Sequence, residues 1–398
     1  MKRFLFILTL GWTTIAPART QETKPDSAAT LSLEVEALTF FKDNEFEGEQ
    51  SKGYSLPGLW LQPRLIYQPI EAIHLEAGFH AAIFAGANKY PCYAYHDIGR
   101  WKGNQYQRGA HVLPFFRAQA QLGRVTFVLG DIYGAERHGV MEPLWNPELT
   151  LTQDPEMGFQ LLSELPRWRL DAWINWQSYI FETDTHQEAF TVGVRQRILL
   201  NSPQARLHWY IPIDILVQHR GGEQDVTDMG VQTITNGGTG IALQWNAHTR
   251  VLERLTAEAS ALGCWQQSGE LWPFNTGVAG YAACTADFAK GFRAFCSLFG
   301  TQKFVSLYGV PFYSILSQKH EGGRFSRLIV PHVGMEWHHT FGKDYTLGAK
   351  VDAYPLAAGA LTYADGHTDK ATFANNFSFG IFFRCRPNFV LMKRRVNR

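Results

Sequence analysis

Residues 206–217 read Arg206-Leu207-His208-Trp209-Tyr210-Ile211-Pro212-Ile213-Asp214-Ile215-Leu216-Val217, and their order decides the fold. Successive side chains of an extended strand point to opposite faces, so a period of two sorts this stretch into two sets. Leu207, Trp209, Ile211, Ile213, Ile215 and Val217 form a wholly apolar face, opposed by Arg206, His208, Tyr210, Pro212, Asp214 and Leu216. In residues 74–84 the same split sets Leu75, Ala77, Phe79, Ala81 and Ile83 against His74, Glu76, Gly78, His80 and Ala82. At 189–198, Phe190, Val192 and Val194 oppose Thr191, Gly193, Arg195 and Arg197. Long helix-period stretches are missing, which argues against an α/β enzyme. Alternation itself suits both a soluble sandwich with its apolar face inward and a membrane barrel with that face outward.

The spacing of turns separates the two. Tight-turn signals fall near Gln68-Pro69, Leu122-Gly123-Arg124, Leu165-Pro166-Arg167, Asn201-Ser202-Pro203, Asn246-Ala247-His248, Ala289-Lys290-Gly291 and Gly342-Lys343-Asp344. Longer polar or glycine-rich stretches lie between them, at about 42–56, 85–109, 134–155, 219–238, 264–273, 318–325 and 356–371. Outer-membrane barrels alternate short periplasmic turns with long outer loops in this way, and their strand number is even. The expected fold is therefore all-β, an antiparallel transmembrane β-barrel of about sixteen strands, within a range of about fourteen to eighteen. The segment 304–316 reads as an extra strand or as part of a long bent one.

The N-terminus supports export. Lys2 and Arg3 precede an apolar core at 4–12 that is too short to span a bilayer, and Ala16-Pro17-Ala18 supplies small residues for cleavage. The expected organisation is a signal peptide at 1–18, cleaved near Ala18, a polar segment at 19–30, one barrel at 31–386 and a basic tail at 387–398. No cysteine precedes Cys92, so a lipid-attachment cysteine directly after the signal is missing. With 37 basic and 36 acidic residues the formal charge is +1, which removes any whole-chain argument for nucleic acid. Aromatic residues make up 14% of the chain against 18% charged, a balance suited to a wall with two interfacial girdles. The five cysteines, Cys92, Cys264, Cys284, Cys296 and Cys385, show no metal-binding spacing. Export permits disulfides, and Cys264 with Cys284 is one pairing open to them.

The phenylalanine-rich closing segment Phe373-Ala374-Asn375-Asn376-Phe377-Ser378-Phe379-Gly380-Ile381-Phe382-Phe383, with the export signal and repeated aromatic hairpins, resembles the porin-like outer-membrane β-barrels of Gram-negative bacteria. The resemblance covers most of 31–384, is architectural, and rests on no residue-level signature. It implies a location in the cell outer membrane and passive diffusion of small polar solutes, saccharides or carboxylates. The partners expected are outer-membrane lipid, lipopolysaccharide and the barrel-assembly machinery, with a homotrimer as one assembly and no cofactor. One departure is that the usual final aromatic is missing, because 387–398 adds the basic tail Lys393-Arg394-Arg395-Val396-Asn397-Arg398.

Candidate lumen residues follow from the polar faces and one loop. Glu142-Pro143-Leu144-Trp145-Asn146-Pro147-Glu148 sets Glu142, Trp145, Asn146 and Glu148 in a proline-stiffened segment suited to constrict a pore and stack a sugar, or simply to pack as an outer loop. From Asp171 onward, Asp171, Trp173, Asn175, Gln177 and Tyr179 share one face. Arg64, Arg117, Arg195 and Arg197 would set a transverse field across a narrow pore, or balance Glu76, Asp171 and Asp214 as interior ion pairs. Glu76, His80, Gln119 and Asp214 complete the set of pore-lining candidates. The aromatic stretch 89–101 reads as an ordered or partner-touching loop.

Catalysis is not expected. Neither H-E-x-x-H nor G-x-S-x-G occurs, and His186 beside Asp184 and Glu188, His138 before Glu142, and Asp365-Gly366-His367-Thr368-Asp369 read better as ordinary polar groups than as catalytic or metal sites. Two alternatives to a porin remain: a closed-lumen barrel with a structural or assembly role, and an outer-membrane lipid or glycan hydrolase with a serine–histidine pair at the lipid edge.

Overall fold

The computed structural model describes residues 28–86, 109–181, 186–222 and 230–395. The stretch 1–18 read as a signal, Cys92 and the aromatic loop at 89–101 lie outside them. The first strands are β1 (Ala28–Phe46), β2 (Tyr54–Ile70), β3 (Ile73–Phe84), β4 (Gly109–Leu122) and β5 (Val125–Asp131). Next come β6 (Met157–Leu165), β7 (Trp168–Ser178), β8 (Ala189–Leu199), β9 (Leu207–Arg220) and β10 (Gln232–Asn246). The wall continues with β11 (Leu252–Ser268), β12 (Thr276–Phe288), β13 (Phe292–Thr301), β14 (Leu328–Phe341), β15 (Tyr345–Ala358) and β16 (Thr372–Cys385). Each pairs antiparallel with the next, and β16 closes on β1 with Ala37 opposite Cys385 and Phe46 opposite Asn376, making a sixteen-stranded barrel.

Closure explains the direction of the alternation. A closed sheet leaves no backbone edge for lipid to meet, so its outer face is free to be apolar. Phe79, Ile83, Phe116, Ile215, Leu298, Val333, Phe379 and Ile381 are exposed on that face. Glu76, Arg117, Asp171, Thr191, Asp214, Gln218, Asn236 and His332 are buried within. A soluble sandwich would show the reverse.

All seven predicted turns join strands at one end of the barrel, and only the first is displaced, from Gln68-Pro69 to 71–72. Between β4 and β5, Gly123 at φ 62° makes the sharp reversal, with nothing within 4 Å of where a Cβ would stand. By the rule of the class this is the periplasmic end, and the opposite end carries the long loops, including one at 179–188 that the turn pattern does not reveal.

Three readings need correction. Part of the expected basic tail is wall: β17 (Asn388–Arg395) pairs with the first residues of β1, Leu33 opposite Phe389 and Thr30 opposite Lys393. A break at Arg386 and Pro387 sets it off from β16, with Val35 N–H donating to Pro387 O at 3.0 Å. A register shift between Trp176 and Ser178 turns Tyr179 outward, where it stacks on Trp176 and is 52% exposed, so it leaves the polar stripe. Cys264 and Cys284 are both free. Cys264 stands opposite Gly277 and Cys284 opposite Ala257, about 20 Å apart along the strands at the usual rise.

The largest difference concerns the lumen. Residues 304–316 form no wall strand, because β13 pairs directly with β14, Thr301 opposite Leu328. The segment turns into the barrel instead, and every residue from 304 to 317 is buried. Pro311 has no N–H for a ladder. Donors and acceptors along the segment are met individually: Asn236 Nδ2 donates to Val305 O at 2.9 Å while its Oδ1 accepts from Leu307 N–H at 2.7 Å. Gln50 Nε2 donates to Pro311 O at 2.6 Å and Ser314 O at 2.8 Å.

Candidate functional site

A second segment, 132–156, enters the lumen beside the first. It carries two one-turn helices, α1 (Ala135–His138) and α2 (Leu149–Thr152). Asn146 N–H donates to Tyr308 O at 2.6 Å, Ser306 Oγ donates to Pro143 O at 2.6 Å, and the Trp145 and Tyr308 rings lie 5.3 Å apart. Leu144, Leu149, Phe304, Tyr308, Phe312 and Tyr313 are fully buried, so the two segments share an apolar core inside the barrel. This core occupies the region in which a porin keeps water.

Polar side chains of the wall clamp the core all round. Glu148 accepts from Lys42 and Tyr54, and from Asn44 Nδ2 at 3.2 Å. Glu142 accepts from Tyr354 OH at 2.9 Å and lies 3.1 Å from His332 Nδ1, whose Nε2 lies 3.0 Å from Asp352. His138 sits between Asp171 at 2.7 Å and Glu156 at 3.3 Å and stacks on Trp173 with centroids 3.6 Å apart. Burial alone would depress the His138 pKa, but Glu156 and Asp171 outweigh it and raise the imidazole to about 9. Asp214 accepts from Met141 N–H at 3.0 Å and pairs with Arg195 at 3.4 Å.

The sequence-predicted residues therefore occupy the interior but do not form one open constriction. Trp145, Asn146 and Glu148 are buried and Glu142 is half-buried on the inner segment, not on a free outer loop. Arg64 pairs with Glu34, with Glu36 at 3.1 Å and with Glu76 at 3.4 Å. Arg117 pairs with Glu76 at 3.2 Å and donates to Asp131 O and Ile132 O. These arginines balance neighbouring carboxylates, which is the interior ion-pair alternative. Gln119 accepts from Tyr133 OH at 2.8 Å, Asn175 accepts from Met157 N–H at 3.2 Å, Arg197 lies 5.1 Å from the Tyr210 ring centre, and His80 packs beside Trp60 at 5.7 Å. Glu34 and Glu36 escape the sequence reading although they alternate with Leu33 and Val35, a period-two signal that could have found them. His332, Asp352 and Tyr354 also alternate with apolar neighbours, but nothing local shows that they meet Glu142, which only the inward turn of 132–156 brings to β14 and β15.

Among the described residues, two places are candidates for meeting other molecules. A cavity of about 170 Å³ lies between β2, β4 and the 132–156 segment. On the outer wall near the long-loop end, His219 Nδ1 lies 2.9 Å from Thr233 Oγ1, opposite it in the β9–β10 register. His219 shares the outward parity of Trp209 and Ile215, and its ring is 5.0 Å from Phe190, which lies 4.9 Å from Trp176. This cluster with Tyr179 gathers aromatic rings at the long-loop end of the wall, the composition of the interfacial girdles of outer-membrane barrels. Among the described residues no carboxylate is hydrogen-bonded to His219 Nε2, and no three metal-binding side chains gather into a cluster.

A closed antiparallel barrel with an apolar outer wall, a polar interior and long loops at one end defines an outer-membrane β-barrel protein. The chain belongs to the lipid A 3'-O-deacylase-type family, whose model matches residues 23–394. A search of curated proteins gave no match. Among solved structures it is similar to OccK1 (OpdK) of Pseudomonas aeruginosa, at 10% identity and a TM-score of 0.47, covering 90% of this chain and 99% of that one. It is likewise similar to OccAB3 of Acinetobacter baumannii, at 10% identity and 0.47, covering 90% and 99%. OmpT of Vibrio cholerae matches at 12% identity and 0.44, covering 89% and 99%. At such identities nothing about function transfers. The expectation that the chain is not an enzyme loses its footing with the family match.

Proposed function

We propose that this chain hydrolyses an acyl ester of lipid A, or of a similar outer-leaflet lipid, instead of conducting solutes. The observation that carries the reading is the lumen: buried aromatic and aliphatic side chains of 132–156 and 304–317 fill it, which leaves the outer wall and loop crown as working surfaces. Family membership supports the substrate class. The candidate centre is His219 with Thr233, a base and a hydroxyl at the lipid edge. Thr233 Oγ1 attacks the ester carbonyl carbon as its proton passes to His219 Nδ1. The ester C–O bond then breaks, and the leaving alkoxide takes that proton. Water, deprotonated by the same imidazole, cleaves the acyl-threonine, releasing the fatty acid and restoring the hydroxyl.

The test incubates the refolded full chain with lipid A in detergent and follows loss of acyl mass by mass spectrometry. Turnover by the wild type that Thr233→Val and His219→Phe abolish is expected. No acyl loss with the folded wild type overturns the reading, whereas turnover that survives both changes removes the pair and keeps the reaction. A second reading, diffusion of small polar solutes, draws on the cavity beside the plug, and stable single-channel conductance by the wild type favours it.

A further inference from the structure

The cavity between the wall and the 132–156 segment is lined by Trp60 and Arg64 of β2, Phe115 and Arg117 of β4, and Gln153 and Glu156. Three of these residues have a buried polar atom that no described residue satisfies: Arg64 Nε, Gln153 Oε1 and Glu156 Oε1. Arg64 is 5% and Glu156 3% exposed, so bulk water does not reach them freely. Buried polar atoms are normally paired, and three around one space point to a group that belongs there.

We propose that this cavity binds a neutral polyhydroxylated ring, a monosaccharide or cyclic polyol. The buried charges are matched: Arg64 faces Glu34, Glu36 and Glu76, Arg117 faces Glu76, and Glu156 faces His138, while the exposed Arg137 at the rim lies over the Tyr133 ring at 4.1 Å. In the buried part of the cavity a ligand therefore needs no net charge. It must accept one hydrogen bond, from Arg64 Nε, and donate two, to Gln153 Oε1 and Glu156 Oε1. Hydroxyls do both, whereas a carboxylate or phosphate only accepts and would face two acceptors unpaired. Trp60 supplies aromatic surface for a sugar's C–H face, while the Phe115 ring packs under the Arg64 and Arg117 guanidinium groups at 5.3 and 5.0 Å. An enclosed cavity of about 150 Å³ holds a benzene ring, so the 170 Å³ present is of the order needed for one six-membered ring. This site is separate from the lipid-facing pair, so it stands or falls independently of the hydrolase reading.

The full chain, refolded in detergent, is titrated calorimetrically with glucose, galactose and inositol, with acetate and phosphate as anionic controls. Binding of at least one neutral ring is expected, weakened roughly tenfold or more by Gln153→Leu, which removes one acceptor. That substitution deletes an unsatisfied atom, so the thermal midpoint of the variant should match or exceed the wild type. Glu156→Gln, which retains an acceptor but alters its charge, should weaken binding less. The proposal is overturned if no neutral ring binds, if the wild type and Gln153→Leu bind equally, or if only the anions bind.

Discussion

Phe312→Ala tests whether the plug is a separately docked unit. Phe312 is fully buried and meets Phe46 of β1 edge-on at 4.8 Å and Tyr354 of β15 at 5.0 Å. Truncating a buried phenylalanine costs about 3–5 kcal/mol. Because the wall keeps its own ladder bonds, the cost falls on docking of 304–316 and not on the barrel. With about 1.4 kcal/mol per factor of ten, the undocked population rises on the order of 10²–10⁴-fold. Hydrogen exchange reads this directly. The amides of Leu307 and Ile315, which donate to Asn236 Oδ1 at 2.7 Å and Phe304 O at 2.9 Å, should lose protection by that factor while β13 and β14 retain theirs. Planar-bilayer conductance should appear in the variant. Unchanged protection at Leu307 and Ile315, or an equal loss across the wall strands, refutes the reasoning.

Arg64→Ala takes one cation from Glu34, Glu36 and Glu76, which keep Arg386 and Arg117 nearby, so the loss of stability should fall below the value of about 3–5 kcal/mol for a buried charge left with no partner; a denaturant midpoint within error of wild type would contradict it. The His138 pKa is raised in the folded state from 6.5 to about 9, so its contribution is fully present below pH 6.5 and is lost as pH rises through 9. The wild type should therefore exceed His138→Gln in stability by more at pH 6 than at pH 9.5, as followed by fluorescence of the stacked Trp173, and a pH-independent gap would remove the charged imidazole from the account.

The sequence by itself determined the wall. Period-two alternation places Phe79 and Ile83 outward and Glu76 and His80 inward because side-chain direction in a strand is a local property. Turn residues such as Gly123 and Lys290 fix where the chain reverses, since backbone sterics act over a few residues. Loop lengths then distinguish the two ends. Exceptions arise where one residue changes parity, as at the bulge that sends Tyr179 outward. Only the tertiary structure decided what fills the barrel. The apolar run 304–316 carries the same local signal as a buried strand, and its fate depends on whether β13 finds β14 without it. Its partners Asn236, Gln50 and Asn146 are 69, 261 and 162 residues away in the hydrogen bonds to Val305, Pro311 and Tyr308 (308 − 146 = 162). The His219–Thr233 pair and the cavity beside Arg64 likewise exist only through register and closure, because hydrogen bonds across a sheet join residues by position in space and leave no trace in local spacing.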